Sequence, residues 1–306
     1  RASNATVVNK EGLIETVANG IPRIDFADSE DGALLLEPQR TNILLQSNQF
    51  DTTWTISAGI DITSSQSGVG GSNNAWLLKR NSTGSRYIQQ SLSLSSAQYS
   101  YSVYLKAEST NWGFIWAYDG VASVNAYIDL ENGVVGNTAG SNLNDVSIES
   151  VGNGWYRVTL IYTQGTTLVR IYPAYSNGDV AIGADNGIYI QYAQLEQGSY
   201  PTSYIPTQGS AVTRLADSCS NGGNEQVINS TEGVLYAEIS AFVGTDNYRQ
   251  ITLSDGSTSD YVLLGFRNDT GNIYYQIMVN NVVQAGFISS QSSINTFSKI
   301  GVKWKV

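Results

Sequence analysis

Between residues 41 and 207, apolar and polar residues alternate in short runs, with turn-forming residues between the runs at intervals typical of a β-sandwich. No window carries a sustained i, i+3, i+4 apolar stripe, so amphipathic helices are not an option for burying apolar surface. Such a chain must stack sheets, because successive side chains of a strand point to opposite faces. The run 99–107 shows the pattern: Tyr99, Tyr101, Val103 and Leu105 fall on one face, and Ser102, Tyr104 and Lys106 on the other. The 19 tyrosines and 6 tryptophans favour sheet, and 30 glycines against 5 prolines supply tight turns. The expected class is all-β, an antiparallel jelly-roll β-sandwich.

Four segments follow from where the pattern changes. Residues 1–40 hold short apolar pieces split by Asn19-Gly20 and Asp31-Gly32, which read as hairpins too small to bury a core without a neighbour. Residues 41–216 form the sandwich. Its last strand, 188–195, places Ile188, Ile190 and Tyr192 on alternate positions. Gly198, Pro201 and Pro206 then force an extended exit in which Tyr200 and Tyr204 are expected to pin the chain to the sandwich. Residues 217–231, rich in Ser, Asn and Gly, read as a linker. Residues 232–306 read as a second, incomplete antiparallel sandwich, with Asn280-Asn281 as one of its turns. The chain opens on Arg1 and closes within a strand-like run, so it is expected to be a fragment of something longer.

Charge and composition exclude several functions. A net charge of −10 without a Lys/Arg cluster argues against nucleic acid, and no apolar run is long enough to insert in a membrane. The absence of histidine removes the usual neutral-pH acid–base group, and the single cysteine, Cys219, rules out an internal disulfide framework. Among acids, Asp129 and Glu131 sit two apart near a strand end, and Asp119 follows an aromatic run. No Glu-x-Asp-x-x-Glu strand occurs, so these read as solvated surface acids and no catalytic residue is assigned. No cofactor is expected other than a structural calcium ion, for which no Asp-x-Asp-x-Asp-Gly loop is present.

The strongest candidate site is the run WGFIWAY, in which Trp112, Phe114, Trp116 and Tyr118 share one face of a strand. Flat rings in a row suit a sugar-binding groove, since pyranose C–H faces stack on them. The same stripe also suits a sandwich core, the commoner origin of such periodicity. Tyr104 and Lys106, opposite Val103 and Leu105, offer a ring and a donor for a glycan on a concave face. The candidate carbohydrate-binding residues are thus Tyr104, Lys106, Trp112, Trp116 and Tyr118.

Three phrases carry a resemblance. They are RASNATVVNKEGLIE (1–15) leading into GIPRID (20–25), LLLEPQRTNIL (34–44) leading into FDTTW (50–54), and QLEQGSYPTSYIPT (194–207). In this order they resemble a repeating module of tailed-bacteriophage fibre and virion appendage proteins. The middle region, with YSVYLK (101–106) and GNGWYR (152–157), is similar to carbohydrate-binding-module jelly rolls. Residues from Gly233 on resemble the start of a concanavalin A-like (laminin-G-type) sandwich. The resemblance implies a non-enzymatic virion component that binds a host-surface glycan, contacts other virion proteins and assembles as a homotrimer. The competing readings are an accessory module of a secreted carbohydrate-active protein and a ligand-free architectural part.

Overall fold

The computed structural model describes residues 1–220, 222–242, 248–267, 272–290 and 294–305. It divides into two units, Arg1–Ser218 and Cys219–Val306. Both are antiparallel β, and no α-helix occurs among the described residues. The first unit is a jelly roll built around two strands of 20 residues, Ile88–Ala107 and Trp155–Ala174. These pair along most of their length, with register shifts between Gln164 and Thr166 and between Thr166 and Leu168. Such bulges bend strands, which lets one ladder serve both layers.

Beyond the bulges the two strands acquire different neighbours. Their 97–107 and 155–164 halves join Leu143–Ser150 on one side and Gly187–Gln197 on the other, followed by Ala75–Arg80 and Ile60–Gln66. Their 88–94 and 166–174 halves join Trp112–Tyr118, then Ser123–Asp129 and Val134–Ala139. Tyr101, Val103, Leu105, Val158 and Leu160 of the first layer and Ile115, Ala117, Val124, Ile128 and Val169 of the second share one buried core. The layers approach closely at Gly113, where a Cβ would lie 3.0 Å from the Leu105 side chain.

The last strand departs from strict alternation. Ile188 and Ile190 enter the core as expected, but Tyr192 does not; Ala193 and Leu195 do. Tyr192 has φ of 52° and sits in the register shift between Gln191 and Gln194. One residue in the left-handed region inserts an extra position and moves the tyrosine to the outer face. There it meets Tyr204 at 4.3 Å and Tyr104 edge-on at 5.6 Å.

The outer face of that first layer is roofed. Tyr104, Trp155 and Tyr192 pack with Val69, Ala75 and Tyr204, and Ile14 of the lead-in rests against them. The lead-in consists of the hairpins Ala5–Val8 with Ile14–Val17 and Ile24–Asp25 with Ala33–Leu34. Arg40–Asn42 then pairs with Val212–Arg214. The exit segment is fastened as its composition suggests: Tyr204 OH meets Ser47 Oγ at 2.7 Å, and the Arg40 guanidinium lies over the Tyr200 ring.

A buried charge cluster ties lead-in to exit. Glu37 Oε2 accepts from Arg23 Nη1 and Arg214 Nη1, both at 2.7 Å, and Ser203 donates to Glu37 from its hydroxyl and its backbone N–H. Asp217 accepts from Arg23, from Arg1 at 3.3 Å and from the Glu37 backbone N–H at 3.0 Å. Burial would raise the Glu37 carboxyl, but Arg214, Arg23 and the Ser203 hydrogen bonds hold it below the usual range. Asp217 is likewise held low against burial, by Arg23, the Glu37 N–H and Arg214.

Glu196 behaves oppositely. It is fully buried and, among the described residues, accepts from Thr202 and Gln194 and from no arginine, and burial pushes its carboxyl up. The signs separate in pH. A raised folded pKa costs stability at neutral pH, and the cost is relieved as pH falls through that pKa. A depressed folded pKa contributes stability above the unfolded value, about 4, and loses it as pH falls through the folded value. The urea midpoint is therefore expected to rise slightly from neutral to weakly acidic pH and then drop steeply below about pH 4. Fluorescence-monitored urea titrations across this range check it. A midpoint unchanged by Glu196→Gln at neutral pH would refute the cost assigned to that carboxylate.

In the second unit, Glu232–Ile239 pairs with Ser298–Lys305, and Arg249–Ser254, Tyr261–Phe266, Ile273–Val279 and Val282–Ser289 form a four-stranded meander. Leu264, Ile300 and Val302 are buried between the two sheets, the sandwich arrangement expected for this segment. Asn280 and Asn281 have φ of 50° and 62°, the left-handed pair a two-residue hairpin needs.

Candidate functional site

The aromatic run faces away from the core. Ile115 and Ala117 point between the layers, and Trp112, Phe114, Trp116 and Tyr118 stand on the outer face of the second layer. Cross-strand register completes the face. Phe114 has Tyr127 on one side and Tyr172 on the other; Trp116 has Asn125 and Arg170; Arg170 in turn faces Gln89. Directly paired residues share a face, so these side chains form two adjacent rows.

The first row is a closed aromatic cluster. Phe114 packs at 4.3 Å on Tyr127 and at 5.1 Å on Tyr172, and Tyr172 meets Tyr87 at 5.1 Å. Burial raises the Tyr172 and Tyr127 phenols, so both remain protonated donors at neutral pH. Trp112 is wedged at one end, where a Cβ on Gly136 would lie 2.7 Å from its ring. This row fixes the platform.

The second row is more open. Trp116 and Tyr118 are half-buried and stack with centroids 5.1 Å apart and planes 11° apart. Offset stacking of this kind leaves part of a ring face uncovered. The Arg170 guanidinium lies 4.5 Å from the Trp116 centroid and 4.0 Å from that of Tyr87. Arg170 Nε donates to Gln89 at 2.9 Å and its Nη1 to the Tyr172 hydroxyl at 3.1 Å. The stack is thus held from the side as well as from below.

Of the residues singled out in sequence, Trp112, Trp116 and Tyr118 come together here. Tyr104 and Lys106 lie in the other layer. Tyr104 is 5% exposed, under the lead-in, with Arg157 over its ring. The expectation that Tyr104 presents a ring to a glycan is corrected: residues 1–40 and the exit segment occupy that face. Lys106, half-buried beyond its edge, therefore has no stacking partner in Tyr104. Sequence reasoning did not reach Tyr87, Gln89, Asn125, Tyr127, Arg170 and Tyr172. The alternation of Leu168, Arg170 and Tyr172 hinted at their common face, but only the ladder shows which strand they adjoin.

The acids nearby are engaged in turns. Asp119 accepts from the backbone N–H groups of Val121 and Ala122, and Asp129 from Asn132 and the Glu131 N–H. These bonds hold Asp119 below the usual carboxylate range; for Asp129 they do so against the opposing effect of burial. Among the described residues no group of three or more His, Cys, Asp or Glu side chains could hold a metal ion, and no helix is long and apolar enough to cross a membrane.

No protein family matches the sequence, and no curated protein does either. Several solved chains are similar in part, among them the following two. The first is the CBM22-1–GH10 portion of a Clostridium thermocellum endo-1,4-β-D-xylanase complexed with xylohexaose. It is 16% identical with a TM-score of 0.30, covering 51% of this chain and 27% of that one. The second is a CBM22-2 xylan-binding domain from Paenibacillus barcinonensis, 10% identical with a TM-score of 0.30, covering 51% of this chain and 98% of that one. The chain thus spans about a quarter of the first of these and nearly all of the second.

Proposed function

We propose that the first unit is a glycan-binding module whose ligand lies on the outer aromatic face around Trp116 and Tyr118. The observation that carries this reading is an asymmetry between two outer faces of one sandwich. The face bearing Tyr104 and Trp155 is roofed by the lead-in and the exit, whereas the face bearing Trp116 leaves stacked rings half-buried beside polar side chains. Rings of this kind bind the C–H faces of sugars, while neighbouring amides and guanidinium groups meet hydroxyls. From the resemblance of the lead-in and exit phrases to tailed-phage appendage modules, the reading extends to display on such an appendage, as a homotrimer beside other virion proteins. Repetition of one weak site would then raise avidity at a glycan-covered host surface.

Retention on immobilised bacterial polysaccharides tests the site. Trp116→Ala is expected to weaken binding at least about tenfold, or about 1.4 kcal/mol, with little change in melting because the ring is only half-buried. Equal retention of the variant and the parent would remove this face from consideration.

A further inference from the structure

We infer that the aromatic face takes an acidic saccharide, with Arg170 receiving its carboxylate or sulfate; this rests on the glycan-binding reading above. The chain has 26 acidic residues against 16 basic ones, so a carboxylate partner for an arginine is easily supplied. The fully buried arginines each have protein acceptors, carboxylates for two and carbonyls for the third, whereas Arg170 is half-buried. Arg23 and Arg214 hold Glu37, and Arg80 donates to the carbonyls of Ile182, Gly84 and Ala181. Arg170 has no carboxylate within salt-bridge distance among the described residues, and it sits in the middle of the candidate site.

Its guanidinium is nevertheless fixed in place. Gln89 and the Tyr172 hydroxyl take one N–H each from Nε and Nη1, and the rings of Tyr87 and Trp116 lie within 4.5 Å. Among the described residues Nη2 donates to no protein acceptor, and it is not among the unpartnered atoms sealed from solvent. The plane is therefore set while part of the donor fork points outward. A planar fork matches a carboxylate or a sulfate better than it matches a single hydroxyl. Aromatic neighbours that exclude water strengthen the pairing. On the far side of Trp116, the Asn125 side-chain amide has no hydrogen-bond partner among the described residues and can meet an adjacent hydroxyl. The nearest acids along the strand, Asp119 and Asp129, are occupied by their own turns.

Calorimetric titration of the whole chain with three probes tests the assignment: an oligogalacturonate, a sulfated galactan oligosaccharide and neutral xylohexaose. At least one acidic probe is expected to bind at least tenfold more tightly than the neutral one and to weaken as salt rises. Which acidic probe binds distinguishes carboxylate from sulfate. Arg170→Gln is expected to abolish the acidic preference and retain residual neutral binding, and Arg170→Lys to restore part of the preference. If Arg170→Gln does not fold, competition between acidic and neutral probes on the parent protein, with its salt dependence, decides the question. Neutral binding as tight as acidic, or an acidic preference surviving in Arg170→Gln, overturns the assignment and leaves the glycan reading standing. Binding of no saccharide, acidic or neutral, overturns that reading itself.

Discussion

Replacing Glu37 with alanine is expected to destabilise the first unit by about 3–5 kcal/mol, the cost of removing one member of a buried ionic cluster. The size follows from what is left behind. Arg23 and Arg214, each 1% exposed, would lose their shared carboxylate, and two cationic groups would remain close together with Asp217 as the acid still within ion-pair distance of both. The Ser203 backbone N–H and hydroxyl would lose their acceptor in the same step. The loss should lower the melting temperature by roughly 10 °C, given the usual 2–4 °C per kcal/mol for units of this size. Five of the six tryptophans (54, 76, 112, 116 and 155) belong to this unit, so intrinsic fluorescence reports its unfolding. Glu37→Gln separates charge from hydrogen bonding, since it keeps an acceptor for Ser203 but not the ion pairs. A melting point within 2 °C of the parent in both variants would show that the cluster is not needed for stability.

Trp155→Ala is expected to cost a comparable 3–5 kcal/mol, about what deleting a large buried aromatic costs. Trp155 is 1% exposed and lies in the layer of rings between the sheet and its roof, with Tyr189 at 6.4 Å. Gly152, Asn153 and Gly154 before it all have positive φ, a tight turn that delivers the indole to the strand's first position. No local collapse can refill the space, because the roof is held by the charge cluster and not by this ring alone. Urea unfolding of the variant measures the effect. A loss below 1 kcal/mol would mean that the lead-in closes over the gap.

The sequence revealed much of this architecture, and its silences have physical causes. The alternation of residues 99–107 put Tyr99, Tyr101, Val103 and Leu105 on one face, and that face is the one turned to the core. The continuity of each 20-residue strand is hidden in sequence, because the bulged residues near Ser95 and Thr166 look like turns when no partner strand is visible. Tyr192 was misplaced for the same reason: a single left-handed residue flips parity, and nothing in its side chain announces it. The aromatic run was ambiguous because side-chain size is a poor guide to burial where layers come close. Gly113 and Ala117 face the core there, since Leu105 leaves no room for a larger side chain opposite Gly113, and the bulky rings stand outside. The charge cluster joins Arg1, Arg23, Glu37, Arg214 and Asp217 across most of the unit's length, and no spacing rule brings such positions together.

The ion pair between Arg1 and Asp217 also has a mechanical side. Two positions 216 residues apart in sequence meet at one place, and the stretch between them, the whole sandwich, closes into a bight. Tension along the polypeptide would load the charged knot at Arg23 and Glu37 first, leaving the long ladder of the jelly roll slack. Pulled at these two positions, a loop tied in this way lengthens little until the knot gives.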